Sequence, residues 1–245
     1  MILTGTVLTG AAGAVIGSYV TTAALRASVG EGAMAGRSRC DGCRRPLNSW
    51  ETVPVVSYAV ARGGCRACGA TISPLHPLGE VAGAAVGVAL WALPDWPTAA
   101  ATAAMGAALL AASVVDVRTM KLPDVLTAIV AASATILAAS RGLPALAAGA
   151  IAAAIAVALL GGLRWAFARR GRDPGLGFGD VKLIAALAIW LGALTPWMVA
   201  AAALLGLCAA GVLGARWRAR LPFGPMLAAS GWICGLGLEA GWWRV

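Results

Sequence analysis

Apolar stretches of roughly the length a membrane helix needs, about 17–25 residues, recur along this chain near residues 2–25, 77–94, 97–115, 124–141, 143–163, 180–195, 197–214 and 222–241. No other feature narrows the fold as much. A chain that puts this much backbone into lipid must satisfy its own N–H and C=O groups, and unbroken helices do so within each segment. The expectation is an all-α polytopic membrane protein of about eight transmembrane helices, with turns at Pro94 to Pro97 and Thr195 to Pro196. Of the 245 residues, 60% are hydrophobic and 12% charged, against about 45–50% and 25% in soluble domains. The apolar mass is largely Ala, Leu, Val and Gly, which suits close helix packing in lipid. No charge precedes Arg26, so the first stretch lacks the basic start of a cleaved signal and reads as a retained span.

Charge placement orients these spans. With the N-terminus outside, the first inner loop holds Arg26, Arg37, Arg39, Arg44, Arg45, Arg62 and Arg66, and the second holds Arg118 and Lys121. The third holds Arg164, Arg169, Arg170 and Arg172, and the fourth holds Arg216, Arg218 and Arg220. Only Arg141 and Arg244 fall outside, and Lys182 sits at the inner end of a span. This is the positive-inside pattern. It accounts for the net charge of +9 without a nucleic-acid partner, since the arginines lie in short separate segments rather than on one basic face.

The loop after the first span, residues 26–76, carries Cys40-Asp-Gly-Cys43 and Cys65-Arg-Ala-Cys68. Two Cys-x-x-Cys pairs can supply four thiolates at tetrahedral geometry, and Gly42, Gly64 and Gly69 suit the tight turns of such knuckles. The reading is one structural zinc site in a cytoplasmic loop. The competing reading is thiol exchange, which a reducing cytoplasm and two matched pairs disfavour. Cys208 and Cys234 lie singly in apolar spans and read as packing residues. His76, the sole histidine, reads as structural at a membrane edge.

Of ten acids, four adjoin or enter apolar spans, where ionisable groups are costly and become functional candidates. Asp124 follows Pro123 and reads as a helix N-terminal cap. Glu80 is open between pairing with a loop arginine and a part in catalysis or methylation. Asp116 ends the third span, where the helix dipole opposes an acid. Asp180 ends the run Gly175-Leu-Gly177-Phe-Gly179-Asp180, followed by Val181 and Lys182, whose glycines allow close backbone approach. Hydrolysis of a peptide without a nucleophilic side chain needs one carboxylate as base and one carboxylic acid, and a close pair supplies both states. No Gly-x-Ser-x-Gly elbow and no His-Glu-x-x-His motif occurs.

The sequence resembles the type IV prepilin peptidases, bifunctional leader peptidases and N-methyltransferases among the Gly-x-Gly-Asp membrane aspartyl proteases. The resemblance runs through Gly17-Ser-Tyr, both cysteine pairs with Asn48, Pro54 and Ser57-Tyr58 between them, and His76-Pro-Leu-Gly-Glu80. It continues through Asp116, Leu122-Pro-Asp124, Gly177-Phe-Gly-Asp180-Val-Lys182 and Leu221-Pro-Phe-Gly-Pro225. Thr21 and Thr22 stand where the family often carries an Asn, and Leu75-His76-Pro77 stands where it has Arg-Tyr-Pro. The resemblance implies Asp116 and Asp180 as the catalytic pair, with Lys182, Gly177, Gly179 and Glu80 in support and Cys40, Cys43, Cys65 and Cys68 on a metal. It implies prepilin or pseudopilin substrates, cut after a glycine at the cytoplasmic face of the bacterial inner membrane, and methylation of the new N-terminus with S-adenosylmethionine. The expected organisation is a first helix (1–25), a four-cysteine loop (26–76) associated with methylation, and a seven-helix protease domain (77–245). Two other classes compete: an ion- or proton-coupled transporter using the acids, and a membrane thiol oxidoreductase using the cysteines.

Overall fold

In a computed structural model of the chain, residues 2–32, 36–91, 93, 95–173, 175–212, 214 and 221–243 are described. Arg216, Arg218, Arg220 and Arg244 of the charge pattern, and Pro94 of the predicted turn, lie outside them. The described residues are helical apart from loops and two isolated β-bridges. The chain divides into two compact units, Met1–Ala92 and Leu93–Val245.

In the first unit, α1 (Ile2–Ser28) packs along α3 (Leu75–Leu90), and the cysteine loop between them carries a short 3-10 turn (Ser49–Thr52) and α2 (Val56–Val60). The α1–α3 seam is built from small residues. Gly10, Gly13, Gly17 and Thr21 recur on one face of α1, opposite Gly79, Gly83 and Gly87 of α3. A Cβ added at Gly13 would fall on the Gly83 carbonyl, and one at Gly83 on the Gly13 carbonyl. Without side chains in the way, the two backbones meet directly, which in lipid replaces the water-driven force that larger side chains would exploit.

The second unit holds α4 (Trp96–Thr119), α5 (Asp124–Ser140), α6 (Leu143–Arg169), α7 (Phe178–Leu191), α8 (Thr195–Val212) and α9 (Gly224–Glu239). α4 begins where Asp95 accepts the Thr98 N–H at 2.9 Å, with Pro97 in the first turn. α7 is the hub, packed by α5, α6 and α9. Its Leu183, Ile184, Leu187 and Trp190 are almost wholly buried, together with Met105, Leu137, Met198 and Leu227. By contrast, α6 buries little beyond Gly149 and Ala156, the pattern of a helix whose other faces meet lipid. A Cβ on Gly149 would fall on the Ile189 carbonyl of α7.

Each of the eight apolar stretches forms a helix. Among the described residues, four helical stretches are long and apolar enough to cross a membrane, Leu3–Ser28, Trp96–Thr119, Leu143–Arg169 and Phe178–Val212, the last spanning α7, a 3-10 turn and α8. α3 and α5 are apolar but shorter, with 16 and 17 residues. At 1.5 Å per residue they reach about 25 Å, just short of a roughly 30 Å hydrocarbon core. The break near Thr195 is made one turn earlier by Gly192, at φ 54°.

Because successive helices reverse direction, the end of α4 and the starts of α5, α7 and α9 meet at one end of the second unit. The other end is closed by a polar clasp. Glu239 accepts Arg141 Nη1–H at 3.0 Å and Trp190 Nε1–H at 2.9 Å, and Arg141 also donates to the Trp190 carbonyl.

Candidate functional site

α4 delivers Asp116 to its last turn, which closes when Met120 adopts a left-handed conformation and donates its N–H to the Asp116 carbonyl at 2.8 Å. The Asp116 carboxylate is buried, 5% exposed, and its Oδ2 accepts the N–H of Gly224, the first residue of α9, at 2.8 Å. Asp180 lies in the first turn of α7, where its Oδ2 accepts the Gly177 N–H at 3.1 Å. Its own helix start therefore holds it, and it is more open to the surface than Asp116. Both aspartates line one cavity of about 340 Å³ with Met120, Lys121, Leu122, Asp124, Gly177, Phe178, Gly179 and Lys182.

The structure thus brings together Asp116, Asp180, Lys182, Gly177 and Gly179 in one concavity, and it gives several of them partners that the sequence does not disclose. Lys182 is turned to Asp124 at 2.7 Å and lies over the Phe178 ring at 4.9 Å. Asp124 keeps its expected place at the positive end of the α5 dipole but is not the cap. It stands in the first turn of α5, after Pro123 as N-cap and with no side-chain cap bond, and its exposed carboxylate meets Lys182 instead. Gly179 is backed by Leu122, which a Cβ there would approach at 3.0 Å. Gly224 is the site residue that sequence reasoning missed. It contributes through its backbone alone, although the Leu221-to-Pro225 run that contains it is visible in the sequence.

Glu80 belongs to the first unit. It is 7% exposed and has neutral partners rather than an arginine: Ser18 donates its O–H at 2.7 Å and Val55 its backbone N–H at 2.6 Å. Val55 has φ 62°, a strained conformation for a β-branched residue.

The cysteine loop folds as two matching knuckles. In the first, Cys40 donates its N–H to the Arg45 carbonyl and accepts from Arg44 N–H; in the second, Cys65 donates to Ala70 and accepts from Gly69. Bridges pair Arg39 with Pro46 and Gly64 with Thr71 at the same offsets. Gly69 takes the left-handed turn position at φ 70°, but its counterpart is Arg44, not a glycine, at φ 60°. Gly42 serves close packing instead, since a Cβ there would lie 2.7 Å from the Ala70 Cβ.

The four Sγ atoms lie within 4.8 Å of one another, and Cys40 Sγ and Cys68 Sγ are 3.8 Å apart. A tetrahedral tetrathiolate with metal–sulfur bonds of about 2.3 Å spaces its sulfurs about 3.8 Å apart, so the donor set fits a metal ion. Backbone N–H groups of Cys68 and Ala67 draw the Cys65 thiol down to about 6, while burial and its thiol neighbours push Cys68 up to about 11. Arg45 braces the first knuckle by a paired contact with Glu51 at 2.5 and 2.8 Å, which holds that carboxyl at about 2. His76 faces Asp41 at 3.8 Å and is not part of the thiol cluster.

Comparison with known proteins agrees with this division. The bacterial peptidase A24 N-terminal domain model matches residues 11–93, and the type IV leader peptidase family model matches residues 103–214. A prepilin leader peptidase/N-methyltransferase of Burkholderia pseudomallei (strain K96243) is 41% identical over 204 residues, covering 80% of this chain and 65% of its own length. The Aeromonas hydrophila protein of the same name is 35% identical over 207 residues, covering 82% and 71%, and that of Neisseria gonorrhoeae 33% over 199, covering 80% and 69%. The chain thus spans just under two thirds of the Burkholderia relative. No solved structure matches. With both halves matched in order and relatives above 30% identity over about four fifths of the chain, the chain belongs to the type IV leader peptidase family, alongside the prepilin leader peptidase/N-methyltransferases.

Proposed function

We propose that this protein is a membrane aspartyl protease that removes basic leader peptides from prepilins or pseudopilins after a glycine. The observation that carries the reading is that two carboxylates from distant parts of the chain, Asp116 and Asp180, line one cavity at one end of the helical bundle. In this reading one aspartate takes a proton from water, which attacks the scissile carbonyl, and the other donates a proton to the leaving amine. A glycine before the cut leaves the carbonyl open to both. Gly177 and Gly179 keep the α7 end of the cavity low, and Lys182, held by Asp124, stands at its rim as a supporting residue.

The positive-inside pattern supports placement in the bacterial inner membrane, with the N-terminus outside and the aspartates at the cytoplasmic face. There the basic leader stays in water while the apolar part of the substrate lies against the spans. Cys40, Cys43, Cys65 and Cys68 would hold a structural zinc ion, which would cross-link a loop that has little apolar core of its own. Glu80 supports that loop from α3. The proposed organisation is a first helix, the cysteine loop, and a protease region in the remaining helices.

Methylation of the new N-terminus with S-adenosylmethionine is proposed on the relatives' names. No glycine-rich strand-to-helix loop occurs among the described residues, and no step is routed through the methyl donor. A transporter needs its acids near the bilayer midplane, whereas Asp116 and Asp180 lie at helix ends.

The test is incubation of the purified, reconstituted protein with a prepilin and labelled S-adenosylmethionine, with the mature N-termini read by mass. Leader loss by the wild type, abolished in Asp116→Asn and in Asp180→Asn while both variants remain inserted, is the expected outcome. Unaltered processing by both variants refutes the dyad, and label incorporation reads methylation separately.

A further inference from the structure

We propose that Gly224 is a positioning residue for Asp116, and that its missing side chain is what allows α9 to hold the carboxylate in place. The inference rests on the dyad reading above and adds a part played by a residue outside the Gly-x-Gly-Asp run.

Two independent features carry it. The first is a donor. The first N–H groups of a helix have no acceptor within it, and α9 begins at Gly224 with Pro225 in its first turn. Gly224 gives its free N–H to Asp116 Oδ2 at 2.8 Å, in a buried contact between residues 108 positions apart. The positive end of the α9 dipole points the same way.

The second is space. A Cβ at position 224 would lie 2.9 Å from Asp116 Oδ2 and 3.2 Å from its Cβ and Cγ. Asp116 is a short side chain on a buried turn of α4, so it could yield only by moving the carboxylate itself.

The two aspartates are therefore held in different ways. Asp180 is gripped by Gly177, three residues earlier in its own helix start and exposed. Asp116 is gripped by another helix, through one oxygen. Its Oδ1 has no protein partner among the described residues and is the atom left for water or the substrate.

The experiment uses the full-length protein in bilayers with a substrate carrying a basic leader, a glycine and an apolar segment. Gly224→Ala is compared with Gly206→Ala, whose Cβ would meet the Phe223 ring at an ordinary 3.9 Å. The expected result is a kcat loss of roughly a hundredfold for Gly224→Ala, the scale of a misplaced catalytic group, with KM unchanged and Gly206→Ala at wild-type rate. Thermal unfolding supplies a second readout. The midpoint lowered by Gly224→Ala recovers when Asp116→Ala removes the carboxylate it strikes.

Wild-type kcat in Gly224→Ala, while Asp116→Asn abolishes cleavage, overturns the positioning role and leaves the dyad standing. Full activity in Asp116→Asn sinks the dyad reading instead. A raised KM with kcat intact, or a thermal cost undiminished by Asp116→Ala, also overturns the proposal, because the damage would then be to α9 in general.

Discussion

Val55 donates its backbone N–H to Glu80 Oε2 at 2.6 Å, tying the cysteine loop to α3 inside the first unit. The bond holds Val55 at a φ of 62°, which a β-branched residue does not adopt without help. Glu80→Ala removes the acceptor of both this N–H and the Ser18 hydroxyl, in part-buried contacts worth about 0.5–1.5 kcal/mol each. Limited trypsin digestion of the reconstituted protein is expected to cut the loop at Arg62 and Arg66 faster in Glu80→Ala than in Glu80→Gln, which keeps an acceptor.

The glycine seam between α1 and α3 makes a contrasting pair of predictions. Gly83→Val drives a side chain into the α1 backbone, and overpacking of this kind costs about 1–3 kcal/mol or more. Gly161→Val in α6 meets open space and leaves stability unchanged. Thermal unfolding in detergent distinguishes them, and equal midpoints would mean that the seam is not close-packed.

For the thiol cluster, the expected stoichiometry is one zinc per chain, lost in Cys→Ser variants of Cys40, Cys43, Cys65 or Cys68. Protons compete with the metal for thiolates. Retention is therefore expected to decline as the pH falls and the thiolates are protonated. The Arg45–Glu51 pair, whose carboxyl sits at about 2, contributes above the ordinary carboxylate value and fails only as the pH drops towards 2. Metal release measured against pH, alongside loop proteolysis, should show these two losses in that order.

The Lys182–Asp124 pair bridges α7 and α5 at an exposed rim. Exposed pairs of this sort contribute about 1 kcal/mol or less. Lys182→Met is therefore expected to unfold within that margin of the wild type, and exchange of the two charges by Lys182→Asp with Asp124→Lys restores any loss. A much larger destabilisation in detergent would assign Lys182 a buried contact that its exposure does not suggest.

The helices were legible because lipid demands long apolar runs, and Asp116 and Asp180 were legible because charge is expensive beside such runs. What the sequence hid were partnerships. Gly224 acts through an N–H that every residue except proline carries, so its letter announces only that a side chain is missing. Lys182 and Asp124 are 58 positions apart, and only the meeting of α5 with α7 makes them neighbours. A cap role for Asp124 was reasonable from Pro123 alone, but its carboxylate is spent on Lys182 instead. Glu80 drew attention as a buried acid, and one of its two donors is again backbone. Arg44 occupies a left-handed position that a reader would assign to glycine, because the knuckle's hydrogen bonds outweigh the local preference.

The clasp of Arg141, Trp190 and Glu239 gives the second unit a fixed end and a free one. It locks the far ends of α5, α7 and α9 together, whereas among the described residues the polar contacts that join α4, α5, α7 and α9 at the aspartate end are one buried N–H bond and a surface ion pair. Any splay of the helices, with the clasp as pivot, would open the aspartate end as its mouth, about 15 Å away along α7. Spin labels at the two ends of α5 and α9 would read narrow separations near the pivot and broad ones at the mouth.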